Sequence, residues 1–229
     1  MQRRNPFIEP CHPSPRDRPP KGDGWVHEVK FDGYRIQLHK VAGEAAIYSR
    51  NGAHFTSRFP TIAYALPALP VRSVILDGEL VAHNAKGLPA FDDLHCRRAP
   101  PEDLAVWVFD ILEIDGTDLR HFSQTTRRGR LERLIERADH PSLRLSETFA
   151  DPERLLAACN ERCLEGIVSK RIDRPYTSGR TKNWIKVKCP GWKEATGSGS
   201  KCSKNGRSPC PPPAIPSPVS WRRLAGDRR

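Results

Sequence analysis

No apolar run in this 229-residue chain approaches the roughly 20 residues that a membrane-spanning helix needs. The N-terminal segment MQRRNPFIEP also lacks the apolar stretch of a secretory leader. These two absences lead to the expectation of a cytoplasmic protein. Patterned cysteines are missing as well. The seven, Cys11, Cys96, Cys159, Cys163, Cys189, Cys202 and Cys210, include no C-x-x-C pair and no histidine spacing of the zinc-site kind. An odd, unpatterned set reads as free thiols in a reducing compartment. Cys159 and Cys163 can share a helix face, where packing is the usual role. No internal repeat is visible.

What is present suits a globular domain. At 25.8 kDa, with 37% hydrophobic and 28% charged residues, the chain can bury one good core. The net charge of +11 points toward polyanionic partners. Its distribution tempers that reading. Residues 190–229 hold eight Lys or Arg against two acids, leaving +5 for residues 1–189. A solvated tail would account for the excess equally well.

Residues 1–24, rich in Pro, Arg and Asp, read as an irregular lead-in. Strand-type runs follow at WVHEVKF (25–31), YRIQLHK (34–40), AAIYS (45–49), VILDGELVA (74–82), AVWVFDIL (105–112), GIVSK (166–170) and WIKVK (184–188). Asp32-Gly33 between the first two reads as a tight turn joining neighbouring strands. Phe59, Ile62, Ala63 and Leu66 recur at helical spacing after a Thr56 cap, and Leu131, Leu134, Ile135 and Ala138 after Thr125. Asp151-Pro152-Glu153 has the composition of a helix start, with the helix running to about Cys163. Strands that follow one another directly favour an α+β fold with antiparallel sheets flanked by helices. The body is therefore placed at residues 25–195. Residues 196–229 are dominated by Gly, Ser, Lys and Pro and are expected to be a disordered basic tail.

Chemistry concentrates at Lys30-Phe31-Asp32-Gly33-Tyr34-Arg35. A lysine ending an apolar strand can be held partly desolvated, which favours the neutral amine of a nucleophile. Alone, K-x-D-G more often marks a surface lysine entering a turn. It is followed here by Ser49-Arg50-Asn51-Gly52, Asp77-Gly78-Glu79-Leu80, Phe109-Asp110, Glu165-Gly166-Ile167-Val168-Ser169-Lys170 and Trp184-Ile185-Lys186-Val187-Lys188. In this order and at these intervals, from about residue 5 to about 195, the chain resembles the nucleotidyltransferase domain of ATP-dependent DNA ligases. The ligase module of bacterial non-homologous end-joining ligases is the nearest pattern.

The resemblance implies an ATP-grasp-like nucleotidyltransferase fold and a reaction in which Lys30 takes AMP from ATP. It implies Lys186 and Lys188 at the α-phosphate, Glu165 and Asp32 as Mg²⁺-linked carboxylates, and Glu79 on a ribose hydroxyl. Phe109 is then the ring stacked on adenine, and Glu28 or the backbone around Val29 lies at the adenine edge. Arg35 is expected near the ribose and the nick phosphate, and Arg50 on a DNA 5′-phosphate, where a guanidinium fork fits. The partner implied is nicked or broken duplex DNA in the bacterial cytosol near the nucleoid, with the protein acting as a monomer and away from membranes. RNA ligation, capping-type transfer and a non-catalytic end-binding role share these motifs. NAD is disfavoured as the AMP donor, because only 29 residues precede Lys30 and no zinc pattern exists.

One departure stands out. Ligases of this kind follow the last strand with an OB-fold, a small β-barrel that closes on DNA. Residues 189–229 are too few and too poor in apolar side chains to build one. An end-joining factor, or a chain supplying that barrel, is the expected protein partner.

Overall fold

A computed structural model describes residues 7–190 and 192. In chain order the strands and helices are β1 (Cys11–Pro15), β2 (Trp25–Lys30), β3 (Tyr34–Val41), β4 (Glu44–Ser49), α1 (Pro60–Ala65), β5 (Ser73–Ala82) and α2 (Phe91–His95). They continue with β6 (Leu104–Ile114), β7 (Thr117–Asp118), α3 (Gln124–Ala138), β8 (Leu143–Leu145), β9 (Thr148–Phe149), α4 (Pro152–Glu161), β10 (Gly166–Arg171) and β11 (Gly179–Lys188).

Two sheets are formed among the described residues, one ordered β1-β11-β10-β2-β9 and the other β4-β3-β5-β6-β7. The pairings are antiparallel except β1 with β11 and β8 with β6. This is the α+β arrangement of antiparallel sheets and flanking helices that the sequence led us to expect.

Period-two alternation sorts the side chains of both sheets. In the second sheet, Ile36, Leu38, Leu76, Leu80, Val106 and Val108 face α1 and α3 and form the larger core with Ile62, Leu131 and Leu134. In the first sheet, Val29, Ile167, Ile185 and Val187 pack with Leu155 and Cys159 of α4. The opposite faces of the two sheets look at each other across a cleft. Between them lies a small third cluster of Cys11, Ile75, Leu112, Tyr176 and Trp184.

The turn expected at Asp32-Gly33 is not a hairpin. β2 and β3 belong to different sheets, so Phe31 to Gly33 carry the chain across the cleft. Gly33 is required for another reason than a turn: a Cβ there would lie 2.1 Å from the Leu80 carbonyl oxygen. The expected lead-in also contains order. β1 pairs with β11 across more than 160 residues of sequence, a pairing that local pattern does not encode.

Helix caps shift too. Ser123, not Thr125, caps α3 by accepting from the Thr126 N–H, while the Thr125 hydroxyl donates to the Ile172 carbonyl. Thr56 caps nothing: its hydroxyl accepts from the Ile47 N–H, and α1 opens at Pro60 with no side-chain cap. Asp151 caps α4 as expected, accepting from the N–H groups of Glu153 and Arg154. Cys11, Cys159 and Cys189 are free and buried, whereas Cys96 and Cys163 are disulfide-bonded, against the expectation of free thiols. The tail placed at 196–229 lies outside the described residues. No helix among the described residues is long and apolar enough to cross a membrane.

Candidate active site

A cavity of about 610 Å³ opens between the sheets and is lined from both sides. The first sheet supplies its wall in three rows set by strand register. Lys30, Gly166 and Lys188 lie opposite one another on β2, β10 and β11; Glu28, Val168 and Lys186 form the next row; Val26, Lys170 and Trp184 the third. Alternation along the strands thus gathers Glu28, Lys30, Lys170, Lys186 and Lys188 on one face.

Lys30 Nζ donates a hydrogen bond to Glu165 Oε2, and Lys188 Nζ sits 3.0 Å from Glu165 Oε1. One carboxylate therefore holds two ammonium groups. Gly166 makes this possible: at φ +148°, with a would-be Cβ 2.0 Å from the Val187 carbonyl oxygen, no side chain fits there. Lys186 completes the basic wall, and its pKa is lowered by burial and by the charges of Lys30 and Lys188. Asp32 faces the same group. Burial and the charge of Glu165 push its carboxyl up to about 6.

Deeper in, Lys170 Nζ donates to the Phe109 carbonyl at 3.0 Å and lies 2.6 Å from Glu28 Oε1. That ion pair lacks hydrogen-bond geometry, so Glu28 Oε1 is buried without a hydrogen-bond partner. Lys170 also lies over the rings of Phe109 and Trp184, at 4.7 and 4.3 Å. Val29 lines the cleft, yet its side chain points into the core under α4, which leaves its backbone to face the cavity.

The second sheet supplies a different wall. Arg35 grips Asp77 with both arms, Nε to Oδ1 at 3.0 Å and Nη2 to Oδ2 at 2.7 Å. It also donates to the Cys11 carbonyl. The Tyr176 hydroxyl donates to Asp77 Oδ2 at 2.6 Å. Arg35 stands 5.3 Å from the centre of the Phe109 ring, so Phe109 has cations on hand from both sheets. Glu79 lines the cleft near Lys30, and burial pushes its carboxyl up to about 8. Arg50 lies at the rim, 3.3 Å from His12 Nδ1.

Every residue singled out in the sequence, Glu28, Val29, Lys30, Asp32, Arg35, Arg50, Glu79, Phe109, Glu165, Lys186 and Lys188, lines this one cleft. Sequence reasoning passed over Asp77, Tyr176, Lys170 and Trp184. Three of them sit inside the quoted motifs, so the signal was present; Tyr176 stands outside them all. Among the described residues no group of three or more His, Cys, Asp or Glu is gathered as a metal cage.

Two facing sheets with a strand-end lysine tied to a glutamate on the cleft floor are the layout of a ligase-type nucleotidyltransferase domain. A family model described as the ATP dependent DNA ligase domain matches residues 18–188, and the chain belongs to that family. It is 38% identical over 186 residues to the multifunctional non-homologous end joining protein LigD of Pseudomonas aeruginosa, covering 80% of this chain and 22% of that protein. It is 37% identical over 182 residues to a probable DNA ligase of Beutenbergia cavernae, covering 74% of this chain and 35% of that protein. Among solved structures, a mycobacterial DNA ligase D complexed with ATP and MES superimposes with a TM-score of 0.68 at 28% identity. That match covers 79% of this chain and 60% of the other. The chain thus spans between about a fifth and a third of the curated relatives' length.

Proposed function

We propose that this chain performs ligase-type nucleotidyl transfer, taking AMP from ATP onto Lys30 and passing it to a DNA end. The observation that carries the reading is the Lys30–Glu165–Lys188 arrangement on the cleft floor. Lys30 must lose a proton to act, and Glu165 Oε2 is the acceptor already bonded to it. The free amine then attacks the α-phosphorus; the N–P bond forms, the α-phosphorus–oxygen bond to the β-phosphate breaks, and pyrophosphate leaves. Negative charge gathering on the α-phosphate meets Lys186 and Lys188, fixed before the reaction by strand register.

The remaining roles follow from position. Phe109 offers a ring face to the base, and Glu28 Oε1 with the Val29 backbone offers polar groups at its edge. Glu79 and Arg35 face the ribose, and Arg50 at the rim suits an incoming 5′-phosphate. Mg²⁺ fits this donor set: burial and the neighbouring Glu165 charge raise the proton affinity of Asp32, and two hard carboxylate oxygens on one cleft wall suit a hard cation. Asp32 and Glu165 would hold it, and it would supply charge neutralisation for the departing pyrophosphate.

After adenylation, a 5′-phosphate oxygen at a break attacks the AMP phosphorus and releases Lys30. The 3′-hydroxyl then attacks that 5′-phosphate, AMP leaves, and a phosphodiester joins the strand. The substrate is nicked or broken duplex DNA, met in the bacterial cytosol. Relatives named for end joining make an end-joining factor, or a chain bringing an OB-fold, the partner class to look for.

Incubation with Mg²⁺ and α-labelled ATP, GTP or NAD tests the reading. Covalent label from ATP alone, abolished by Lys30→Ala, is expected. No label from any donor would sink it, and sealing of a nicked RNA in preference to a nicked DNA would move the substrate.

A further inference from the structure

Two residues along β6 from Phe109, and on the same inter-sheet face, Trp107 reaches out of its own sheet to the segment that carries Lys30. Its indole stacks on Phe31, with ring centroids 4.5 Å apart and planes 14° from parallel. Both rings are buried, and both belong to the core under α4 rather than to the core of Trp107's own sheet.

The indole is itself held on two more sides. Nε1 donates to His83 Nε2 at 3.1 Å, and the Arg144 guanidinium lies 5.7 Å from the ring centre. Because His83 Nε2 accepts, its proton sits on Nδ1, which faces the Asp103 carbonyl at 3.1 Å. That is the neutral tautomer, and burial favours it by lowering the pKa of His83.

This arrangement matters because of where the β2 ladder stops. The last rung pairs Lys30 with Gly166. Phe31, Asp32 and Gly33 then cross to the other sheet without ladder hydrogen bonds, and Tyr34 pairs with Leu80. Backbone pairing thus fixes Lys30 on one side only. On the other side, the stack of Phe31 on Trp107 sets the direction in which the chain leaves β2. We propose that Trp107 is a positioning residue for Lys30, acting through its stack on Phe31, with His83 locking the indole in place. Trp107 stands outside the cavity lining, so it touches neither the nucleotide nor the reacting atoms. The inference rests on the reading of Lys30 as the nucleophile.

The test is a single-turnover measurement of lysyl–AMP formation with the full chain, ATP and Mg²⁺. Trp107→Leu keeps an apolar side chain but loses the stack, and is expected to slow the step at saturating ATP by roughly tenfold or more. The KM for ATP should stay within about twofold, since the nucleotide's contacts are untouched. Phe31→Leu removes the other half of the stack and should cost about the same. The double variant should be no slower than either single, because both act through one contact. Factors that multiply in the double variant, a Trp107→Leu rate equal to wild type, or a rise in KM in place of the rate loss would each overturn the proposal.

Should the leucine variants fail to fold, Trp107→Phe and His83→Leu carry the same cycle. Each removes the indole–imidazole hydrogen bond while leaving an aromatic ring against Phe31, so both should slow the step by a similar factor and together no more than either alone; multiplied factors, or no slowing, overturn it. Absence of label from the wild-type chain is a separate outcome. It removes the role of Lys30 first, and this inference with it.

Discussion

The two walls of the cleft spend their charges differently. On the first sheet, Lys30, Lys186 and Lys188 surround Glu165, three cations against one directly bonded carboxylate. On the second, Arg35 and Asp77 form a closed pair whose remaining lone pair takes the Tyr176 hydroxyl. A wall with surplus positive charge is poised for an anion; a compensated, buried pair has nothing left to attract and instead holds its surroundings rigid. The difference sets a wall with charge to offer an anion beside one whose central charges are already spent on each other.

The largest effect expected from breaking this contrast is at Lys30. Lys30→Ala should lower adenylation by roughly 10³-fold or more, since no other amine occupies that strand end. Lys186→Ala and Lys188→Ala should also reduce labelling, while leaving stability within about 0.5 kcal/mol, as substitutions of partly exposed groups usually do. Urea unfolding beside the labelling assay checks both halves. A large stability loss in either variant would erase the distinction between the walls.

Asp77→Ala is the converse experiment. Asp77 is fully buried, and its loss leaves the Arg35 guanidinium half-buried with no counter-charge, a change that costs about 3–5 kcal/mol. The urea midpoint should fall accordingly. Asp77→Asn retains acceptor and shape and should fall less. Equal losses in the two variants would mean that the charge, which both remove, is what Asp77 supplies, and that shape and a neutral acceptor add nothing. Gly33→Ala comes next. Its Cβ would collide with the Leu80 carbonyl, and overpacking of this kind costs about 1–3 kcal/mol. Since the same segment carries Lys30, adenylation should drop along with the midpoint.

The same contrast explains what could be read from the sequence. The reactive wall was legible because its residues alternate along strands: a period of two puts Lys186 and Lys188, or Glu28 and Lys30, on one face with no knowledge of the partner strand. Strand positions were legible for the same reason. The structural wall was not. Asp77, Arg35 and Tyr176 come from segments up to 141 residues apart, and nothing local to any of them announces the others. The Asp32-Gly33 signal misled in an instructive way. Asp-Gly between two apolar runs is what a hairpin looks like, yet here glycine serves a close backbone approach, and only the Leu80 carbonyl on another strand reveals it. β1 was missed on similar grounds, since CHPSP has no strand character apart from its partner β11.

The smallest expected effect, and the sharpest probe of the cleft's electrostatics, concerns pH. Burial lifts the Glu79 carboxyl to about 8 and the Asp32 carboxyl to about 6, both far above the roughly 4 of an unfolded chain. Between those limits the folded protein binds more protons than the unfolded one, so these two groups make stability fall as pH rises. Their contribution is fully present below the unfolded pKa and is lost as pH passes 6 for Asp32 and 8 for Glu79. Glu79→Gln removes one of the two without changing shape. Relative to wild type, its urea midpoint should fall less steeply across the whole span from about pH 4 to 8, because Glu79 holds its extra proton throughout; below pH 6 the slope that Asp32 supplies remains, and above pH 6 little is left. Comparing variant with wild type at each pH cancels the histidines, which titrate in both. An identical slope in the two proteins above pH 6 would mean that Glu79 is ionised in the cleft at neutral pH. It would then add a third carboxylate charge near Lys30, beside Glu165 and Asp32, and would cancel the surplus that sets the first wall apart from the second.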